Sequence, residues 1–419
     1  MEQHTETNQS LVVLPKPATR RIALHVTREA ERALRNGHPW LFANSIERQS
    51  HEGQPGDLAV AFDQKRRFLA IGLYDPTSPL RLRVLQQGEP ATIDQGWFHT
   101  QITQASHRRA PLLIDGRTTG YRLVHGENDG LPGLIIDRYA QTLVIKLYTA
   151  AWLPHLPALL GGLATVQPAE RIVLRMSRSL QKAPAYLYGL TDGMILTGPP
   201  LADPVIFLEN GLRFEADPLH GQKTGFFLDQ RDNRARVEGV AAGKRVLNVF
   251  AYNGGFSLYA ARGGAPQVAS LDISRPALQA AERNFALNQD VPTVAAASHQ
   301  LLAGDAFVLL AEMANAGRRF DLVIIDPPAF AKQQAEVERA LAAYAQLTRL
   351  GIGVLAPGGT IVLASCSSRV STEAFITTTT GAAANQGRPL RVFAQTAHAL
   401  DHPIGFPEGA YLKCLFATA

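Results

Sequence analysis

The chain has 419 residues, more than one ordinary hydrophobic core holds, so two or three domains are expected. Apolar residues make up 46% and charged residues 18%, which excludes a largely disordered chain. A formal charge of +5 permits a nucleic-acid partner without requiring one. The two cysteines form no CxxC pair or Cys/His cluster, so no metal site is expected. No apolar run approaches the ~20 residues that span a bilayer, which predicts a cytoplasmic protein without a membrane partner.

Three segments precede the C-terminal half of the chain. Residues 1–19 are polar and are expected to be a disordered leader. Residues 20–93 alternate short apolar runs such as "RIALHV" and "RFLAIGLYD" with turn residues, a pattern that predicts a small β-barrel or sandwich. One helix, "TREAERALRNG", interrupts it and ends at Gly37. Residues 94–215 combine a basic helical stretch around His107 with strands such as "TLVIKLY", which predicts an α+β domain.

Residues 216–419 alternate strands with helices. The runs "KRVLNVF", "QVASLDI", "FDLVIIDPP" and "GGTIVLASC" are nearly continuous apolar strands, which predicts a parallel sheet covered by helices on both faces. Ser274 is the expected N-cap of the helix after the second strand, with Pro276 in its first turn. The last two runs, "LRVFAQT" and "AYLKCLFA", are expected to pair as antiparallel strands at the edge of the sheet. The fold class is therefore α/β.

Four sequence points fall at the carboxyl ends of these strands, where open parallel sheets bind their ligands. They are the turn "NVFAYNGGFS", Asp272, Asp305 and Asp326, all within about 80 residues. Glycines in the turn let a ligand approach the backbone closely. A carboxylate at Asp272 can accept hydrogen bonds from both ribose hydroxyls, and Asp305 can accept one from an adenine amino group. The series predicts a nucleoside-containing cofactor.

The cofactor predicted from this series is S-adenosylmethionine. The turn lacks the G-x-G-x-x-G spacing that brings a helix N-terminus onto a dinucleotide pyrophosphate, and S-adenosylmethionine has no phosphate that would need it. The alternative is a plain α/β domain in which the same residues form turns and caps. The predicted contacts around this turn and the strand ends are Phe250, Tyr252, Asn253, Gly254, Gly255, Asp272, Ile273, Asp305, Ala306 and Asp326.

The run "DPPAF" begins at Asp326 and places two prolines directly after a strand. Prolines stiffen the exit loop, and Phe330 can stack on a flat base held there. Methyltransferases that act on exocyclic nitrogens have a similar loop, so this run does not separate methylation of nitrogen from methylation of carbon.

Cys366 in "LASCSS" favours carbon. It ends the strand expected beside the one that bears Asp326, so both side chains would open into one crevice. Attack of a thiolate on carbon 6 of a pyrimidine converts the ring to an enamine that accepts a methyl group at carbon 5. A carboxyl group near ring nitrogen 3, at Asp326, would stabilise that intermediate. A lone cysteine is more commonly a core residue, and Cys414, inside an apolar strand, is expected to be one.

The sequence resembles the bacterial 23S ribosomal RNA cytosine-carbon-5 methyltransferase I family over nearly its whole length. The matching stretches are "GHPWLF", "YRLVHGENDGLPGLIIDRY", "HGQKTGFFLDQRDNR", "VLNVFAYNGGFS", "FDLVIIDPPAF", "SCSS" and "DHPIGFPEGAYLK". The resemblance implies a PUA-like RNA-binding domain over residues 20–93, a central α+β domain and a Rossmann-like methyltransferase domain over residues 216–419. It implies 23S ribosomal RNA as partner and allows a homodimer.

The resemblance also assigns roles to single residues. By position, Cys366 resembles the family's nucleophile. The segment "KTGFFLDQR" resembles one that crosses the cofactor pocket, with Lys223, Phe227 and Gln230 near the cofactor. Related carbon-5 methyltransferases carry a second cysteine after the residue that matches Asp326. Here that loop has no thiol, so product release requires another base or water.

The basic residues near Trp40 support RNA binding less directly. Arg21, Arg32, Arg35 and His38 could form an RNA-facing patch, but "HPW" before two apolar residues favours a core position for Trp40. Two functions besides cytosine methylation remain open. One is methylation of an exocyclic nitrogen of guanine or adenine, and the other is a non-catalytic RNA-binding assembly factor.

Overall fold

The computed structural model describes residues 13–419, and the chain divides into two units. The first unit runs to Ile114 and adds Thr119–Val205 and Ala216–Phe226, whereas the second comprises Asp115–Thr118, Ile206–Glu215 and Phe227–Ala419. The first twelve residues of the predicted leader lie outside the described part. Near the end of that leader, the backbone N–H of Ala18 donates to Asp57 Oδ1 over 2.8 Å.

A six-stranded sheet opens the first unit, with strand order β2-β6-β5-β4-β1-β3. Its strands are β1 Ile22–Val26, β2 Trp40–Phe42, β3 Ile46–Gln49, β4 Leu58–Phe62, β5 Phe68–Tyr74 and β6 Leu80–Gln87. Helix α1, Arg28–Arg35, follows β1 and is capped by Thr27. Alternate residues of β1 are fully buried, as a strand with one core-facing side requires.

The sequence favoured a core position for Trp40, and the structure corrects this. Its side chain is only half-buried, and its indole N–H donates to Glu127 Oε1 over 2.9 Å. An indole has an apolar body and a polar N–H, so a half-buried position beside a carboxylate satisfies both. In the patch proposed for RNA, Arg35 pairs with Glu31 and Asp63 at 3.0 and 2.9 Å.

A second sheet in the same unit has the order β11-β10-β9-β8-β7. Its strands are β7 Gly120–His125, β8 Leu134–Tyr139, β9 Thr142–Leu147, β10 Arg171–Met176 and β11 Ile195–Thr197; the helices are α2 Gln95–Arg109, α3 Leu156–Val166 and α4 Arg178–Gln181. The run "GENDGLPG" forms the loop between β7 and β8. Its Asp129 is buried and accepts two hydrogen bonds from Arg109, at 2.7 and 2.6 Å.

The second unit contains a hairpin, β12 Val205–Glu209 and β13 Leu212–Ala216, and a seven-stranded sheet of order β16-β15-β14-β17-β18-β20-β19. The sheet strands are β14 Arg245–Val249, β15 Gln267–Asp272, β16 Ser298–Ala303, β17 Phe320–Ile325, β18 Leu355–Ser365, β19 Arg391–Thr396 and β20 Lys413–Thr418. The helices are α5 Arg231–Glu238, α6 Gly255–Arg262, α7 Arg275–Ala286, α8 Pro292–Ala296, α9 Ala306–Asn315, α10 Val337–Val354 and α11 Thr372–Ala384.

The α/β prediction for this region is confirmed. Five strands, β16 to β18 in sheet order, are parallel, and β20 pairs antiparallel with both β18 and β19. The predicted edge pair is present, although β20 lies inside the sheet and only β19 is at the edge. Ser274 caps α7 as expected. None of the helices within residues 13–419 combines the length and apolar character needed to cross a membrane.

Candidate functional site

The loop after β14 has an unusual backbone conformation. Phe250 and Tyr252 have φ angles of 60° and 49°, which non-glycine residues rarely adopt. Gly254 has φ +77°, and a Cβ added there would lie 2.7 Å from Ala281 Cβ, so only glycine fits. Asn253 is buried, and its carbonyl accepts a hydrogen bond from Asn284 at 2.9 Å. Strain of this kind persists where surrounding contacts hold it, often beside a bound ligand.

Asp272, the last residue of β15, joins this loop to the neighbouring strand end. Its Oδ2 accepts from the backbone N–H of Tyr252 and its Oδ1 from that of Ser274, each at 2.8 Å. A carboxylate has about four acceptor positions, so about two remain for ribose hydroxyls. The next residue, Ile273, is 73% exposed and offers an apolar contact for a flat ring. The arrangement suits a nucleoside.

Asp305 has the capping role that the alternative of a plain α/β domain gave to these residues. Its Oδ1 accepts from the backbone N–H groups of Phe307 and Val308, at 2.8 and 3.2 Å, and so caps α9. Because both bonds use Oδ1, the other oxygen is the one suited to an adenine amino group. Ala306, the first residue of the helix, is buried.

Of the three residues that the resemblance placed near the cofactor, Phe227 contacts the loop after β14, and Gln230 contacts the residue that follows β17. The ring of Phe227 meets that of Tyr252 edge-on, with centroids 5.0 Å apart. Gln230 is buried, and its Nε2 donates to Asp326 Oδ2 at 2.9 Å. Lys223 belongs to the other unit, where its carbonyl accepts from Lys146 Nζ at 3.0 Å.

Asp326 and Cys366 directly follow β17 and β18, which pair in parallel, so both residues lie at the carboxyl edge of the sheet. The Cys366 thiol is half-buried and lies 3.8 Å from the carbonyl oxygen of Pro327. Cys414 is a core residue, as predicted, and burial raises the pKa of its thiol far above the ordinary value. Only the first of the two sulfur atoms is available to a reactant.

A network of hydroxyl groups, which sequence analysis missed, connects the loop after β17 to the loop after β18. Ser367 Oγ accepts from the backbone N–H groups of Phe330 and Ala331, at 3.1 and 3.3 Å. The Tyr344 hydroxyl, from α10, lies 2.9 Å from the same oxygen and accepts from Ser365 Oγ at 2.8 Å. Burial raises the pKa of the Tyr344 phenol, so it remains a hydrogen-bond donor.

The network also affects Phe330, the residue predicted to stack on a base. Its ring is half-buried and packs against Tyr344, with centroids 5.2 Å apart. Only part of this ring is therefore accessible to a substrate.

Lys413, at the start of β20, was also missed. Its ammonium group donates to the carbonyl oxygens of Ser367 and Tyr411, at 2.6 and 3.1 Å, and the residue is 5% exposed. Burial lowers the pKa of Lys413 to about 8, and the charge of Cys366 opposes this shift. A lysine between apolar residues of a terminal strand was the one available signal, and without the strand order it pointed to no partner.

Comparisons with known proteins give two matching family models and several similar proteins. Residues 122–408 match the model of an S-adenosylmethionine-dependent methyltransferase family, and residues 24–87 match a PUA-like domain. A Deinococcus radiodurans protein named ribosomal RNA large subunit methyltransferase is 50% identical over 96% of this chain and 98% of its own. Ribosomal RNA large subunit methyltransferase I of Aeromonas salmonicida is 36% identical over 95% and 99%.

A solved structure from Streptococcus mutans, described as a SAM-dependent methyltransferase, has the same fold. It superimposes with a TM-score of 0.79 at 21% identity and covers 95% of this chain and 100% of that one.

Proposed function

Because the chain belongs to the S-adenosylmethionine-dependent methyltransferase family, we propose that it methylates carbon 5 of a cytosine in 23S ribosomal RNA through a covalent Cys366 adduct. The relatives named as large-subunit ribosomal RNA methyltransferases support the RNA substrate, as does the match to a PUA-like domain. The homodimer allowed by the resemblance stays a prediction, which light scattering in solution would test.

One observation carries the chemical part of this proposal. A half-buried thiol and a carboxylate follow two adjacent parallel strands, on the sheet edge that also bears Asp272. A cysteine that served only the core would be buried as Cys414 is. An enzyme that methylates exocyclic nitrogens would need the loop that starts at Asp326 but would have no use for an accessible sulfur beside it.

The residues at the strand ends fit S-adenosylmethionine. Asp272 would receive the ribose hydroxyls, Ile273 and Phe227 would contact the adenosine, and Asp305 would receive the adenine amino group. When bound, the cofactor supplies a methyl group on a positively charged sulfur. Gln230 holds the Asp326 carboxylate in place from the buried side, because its Nε2 donates to Oδ2.

The chain's own residues would act in three steps. The Cys366 thiolate forms a bond to carbon 6 of the cytosine, the electron pair of the 5,6 double bond forms a double bond between carbons 4 and 5, and ring nitrogen 3 takes a proton from the Asp326 carboxyl group. Carbon 5 then takes the methyl group, and nitrogen 3 returns its proton to Asp326. Finally, carbon 5 loses its proton to a base, the double bond reforms and the carbon–sulfur bond breaks, which regenerates the thiolate.

The test compares two cysteine variants with opposite expectations. Cys366→Ala should lower transfer of labelled methyl groups from S-adenosylmethionine into 23S RNA by at least about a thousandfold, because it removes the nucleophile. Cys414→Ala, the matched control, should keep most of the activity because its sulfur is buried in the core. Nucleoside mass spectrometry of the RNA should identify the product as 5-methylcytosine.

Other outcomes would change the conclusion. Full activity in Cys366→Ala would exclude the covalent route, and a product methylated on an exocyclic nitrogen would favour that chemistry. Absence of S-adenosylmethionine binding by calorimetry would leave a non-catalytic RNA-binding factor.

A further inference from the structure

Lys413 is buried at the carboxyl edge of the sheet, and within residues 13–419 no carboxylate pairs with its ammonium group. In register, it lies opposite Ser365, the residue before Cys366. Both of its hydrogen bonds go to neutral carbonyl oxygens, of Ser367 and Tyr411. Carbonyl groups satisfy the N–H donors of an ammonium group but do not neutralise its charge, and an unneutralised charge is costly to bury. The sheet therefore holds a positive charge that needs a negative one nearby.

The group that can supply the negative charge is Cys366. The ammonium group of Lys413 donates to the carbonyl oxygen of Ser367, the residue after Cys366, over 2.6 Å. The lysine is therefore anchored to the loop that carries the thiol. The favourable charge interaction of Lys413 with Cys366 counteracts the effect of burial on the lysine. A cation beside a thiol favours the thiolate, which is the form that acts as a nucleophile.

We propose that Lys413 is a positioning residue that stabilises Cys366 as a thiolate, an inference that rests on the proposed covalent route. The S–H bond breaks, the electron pair stays on sulfur, and the proton leaves to water because the ammonium group is already protonated at neutral pH. The same ammonium stabilises the thiolate again when it is released from the methylated base.

The other titratable groups around the pair come from three elements. Asp326 follows β17, Tyr344 is on α10, and Cys414 is the next residue along β20. Burial keeps the phenol of Tyr344 and the thiol of Cys414 protonated and neutral. In the proposed route Asp326 gives a proton to ring nitrogen 3, and any negative charge left on its carboxyl group would disfavour a second one on the sulfur. Lys413 supplies a positive charge that interacts with the sulfur and counters this effect.

The experiment measures the reactivity of the Cys366 thiol without requiring turnover. The full-length protein and its variants are alkylated with iodoacetamide from pH 6 to 10, and peptide mass spectrometry separates Cys366 from Cys414. In Lys413→Gln, which keeps a hydrogen-bond donor and loses the charge, the midpoint of the profile should rise by about one pH unit. Alkylation below the midpoint should then be about tenfold slower. Lys413→Arg should restore most of the rate.

A matched control, Lys244, lies at the opposite edge of the sheet, directly before β14. Lys244 is also partly buried with a lowered pKa, and its Nζ donates to Thr360 Oγ1, on β18, at 3.1 Å. Lys244→Gln should leave the alkylation profile of Cys366 unchanged. Calorimetry with S-adenosylmethionine and thermal unfolding would show that each variant is folded, and Lys413→Met is a second neutral variant if Lys413→Gln is unstable.

An unchanged profile in folded Lys413→Gln or Lys413→Met would overturn this inference, whatever their methyl-transfer activity. Failure of the proposed function has a different signature, which is full methyl transfer by Cys366→Ala. The two failures are therefore distinguishable.

Discussion

The carboxyl edge of the second unit's sheet has two halves that are built differently. One half, at the ends of β14, β15 and β16, is where we propose that the cofactor binds, and we call it the cofactor half. There Asp272 and Asp305 accept hydrogen bonds from backbone N–H groups, most of them within three residues. In the reaction half, at the ends of β17, β18 and at the start of β20, side chains meet from distant parts of the chain. Gln230 and Asp326 are 96 residues apart, and Ser367 and Lys413 are 46 apart.

Under the proposed function, this difference separates the residues that bind the cofactor from those that carry out the reaction. Backbone contacts made by short turns form as soon as the local strand and helix form, so the cofactor half tolerates change elsewhere. The reaction half depends on the order of the strands and on side chains buried between them. Substitutions in the two halves should therefore change different measured quantities.

The largest effect is expected in the reaction half. Asp326→Asn should lower methyl transfer by about a hundredfold to a thousandfold, because a neutral amide cannot hold the proton shared with the base. The affinity for S-adenosylmethionine should change by less than about threefold, since Gln230 can still bind the amide oxygen. Single-turnover assays and calorimetry measure the two quantities. If Asp326→Asn lost much of its affinity for S-adenosylmethionine but kept its rate of methyl transfer, the proposed difference between the halves would be wrong.

A smaller effect is expected in the cofactor half, where a substitution should weaken cofactor binding and leave the rate nearly unchanged. In Asp272→Asn, one of the two backbone N–H groups would face an amide NH₂ in place of an oxygen. The dissociation constant for S-adenosylmethionine should rise by about tenfold to a hundredfold, with the rate at saturation little changed. Asp290→Asn is the control, because this carboxylate pairs with Arg213 at the surface. Equal losses in both variants would indicate a general effect on folding.

The smallest effect concerns stability on the cofactor side. His299, on β16, stacks on Phe285 with centroids 3.7 Å apart, and burial lowers the pKa of its imidazole to about 4. The unfolded imidazole binds a proton below pH 6.5 and the folded one only near pH 4, so stability should fall as the pH decreases through that interval. The loss between pH 7 and 5 should be about 1–2 kcal/mol.

Urea unfolding at the two pH values measures this loss. His299→Gln should show a shallower pH dependence than the unaltered chain, by about the same amount. Identical slopes would mean that the imidazole is protonated in the folded state as readily as in the unfolded one.

The two halves also differ in how far the sequence predicted them. The turn at Gly254, the cap at Ser274 and the carboxylate at Asp272 follow from local patterns, and the structure places them at neighbouring strand ends. The strand before Cys366 was expected beside the one before Asp326, and the pairing of β17 with β18 confirms this.

Other features required the tertiary structure. The Tyr344 hydroxyl reaches Ser365 and Ser367 from one face of a long helix, and no spacing in the sequence relates the three residues. Lys413 could be connected to the Cys366 loop only once β20 was known to lie beside β18. Asp305 was predicted as a ligand for adenine, but its role as a helix cap competes for one of its oxygens.

The position of β20 has a consequence for synthesis of the chain on the ribosome. β20 comes after every other strand in sequence, yet it lies between β18 and β19. Until it emerges, β18 presents an unpaired edge, and such edges invite aggregation or binding by chaperones. A nascent chain would thus form the turns of the cofactor half before Lys413 is synthesised. Loss of a few C-terminal residues to a protease would remove the strand that pairs with β18 and β19, and the enzyme would lose its activity.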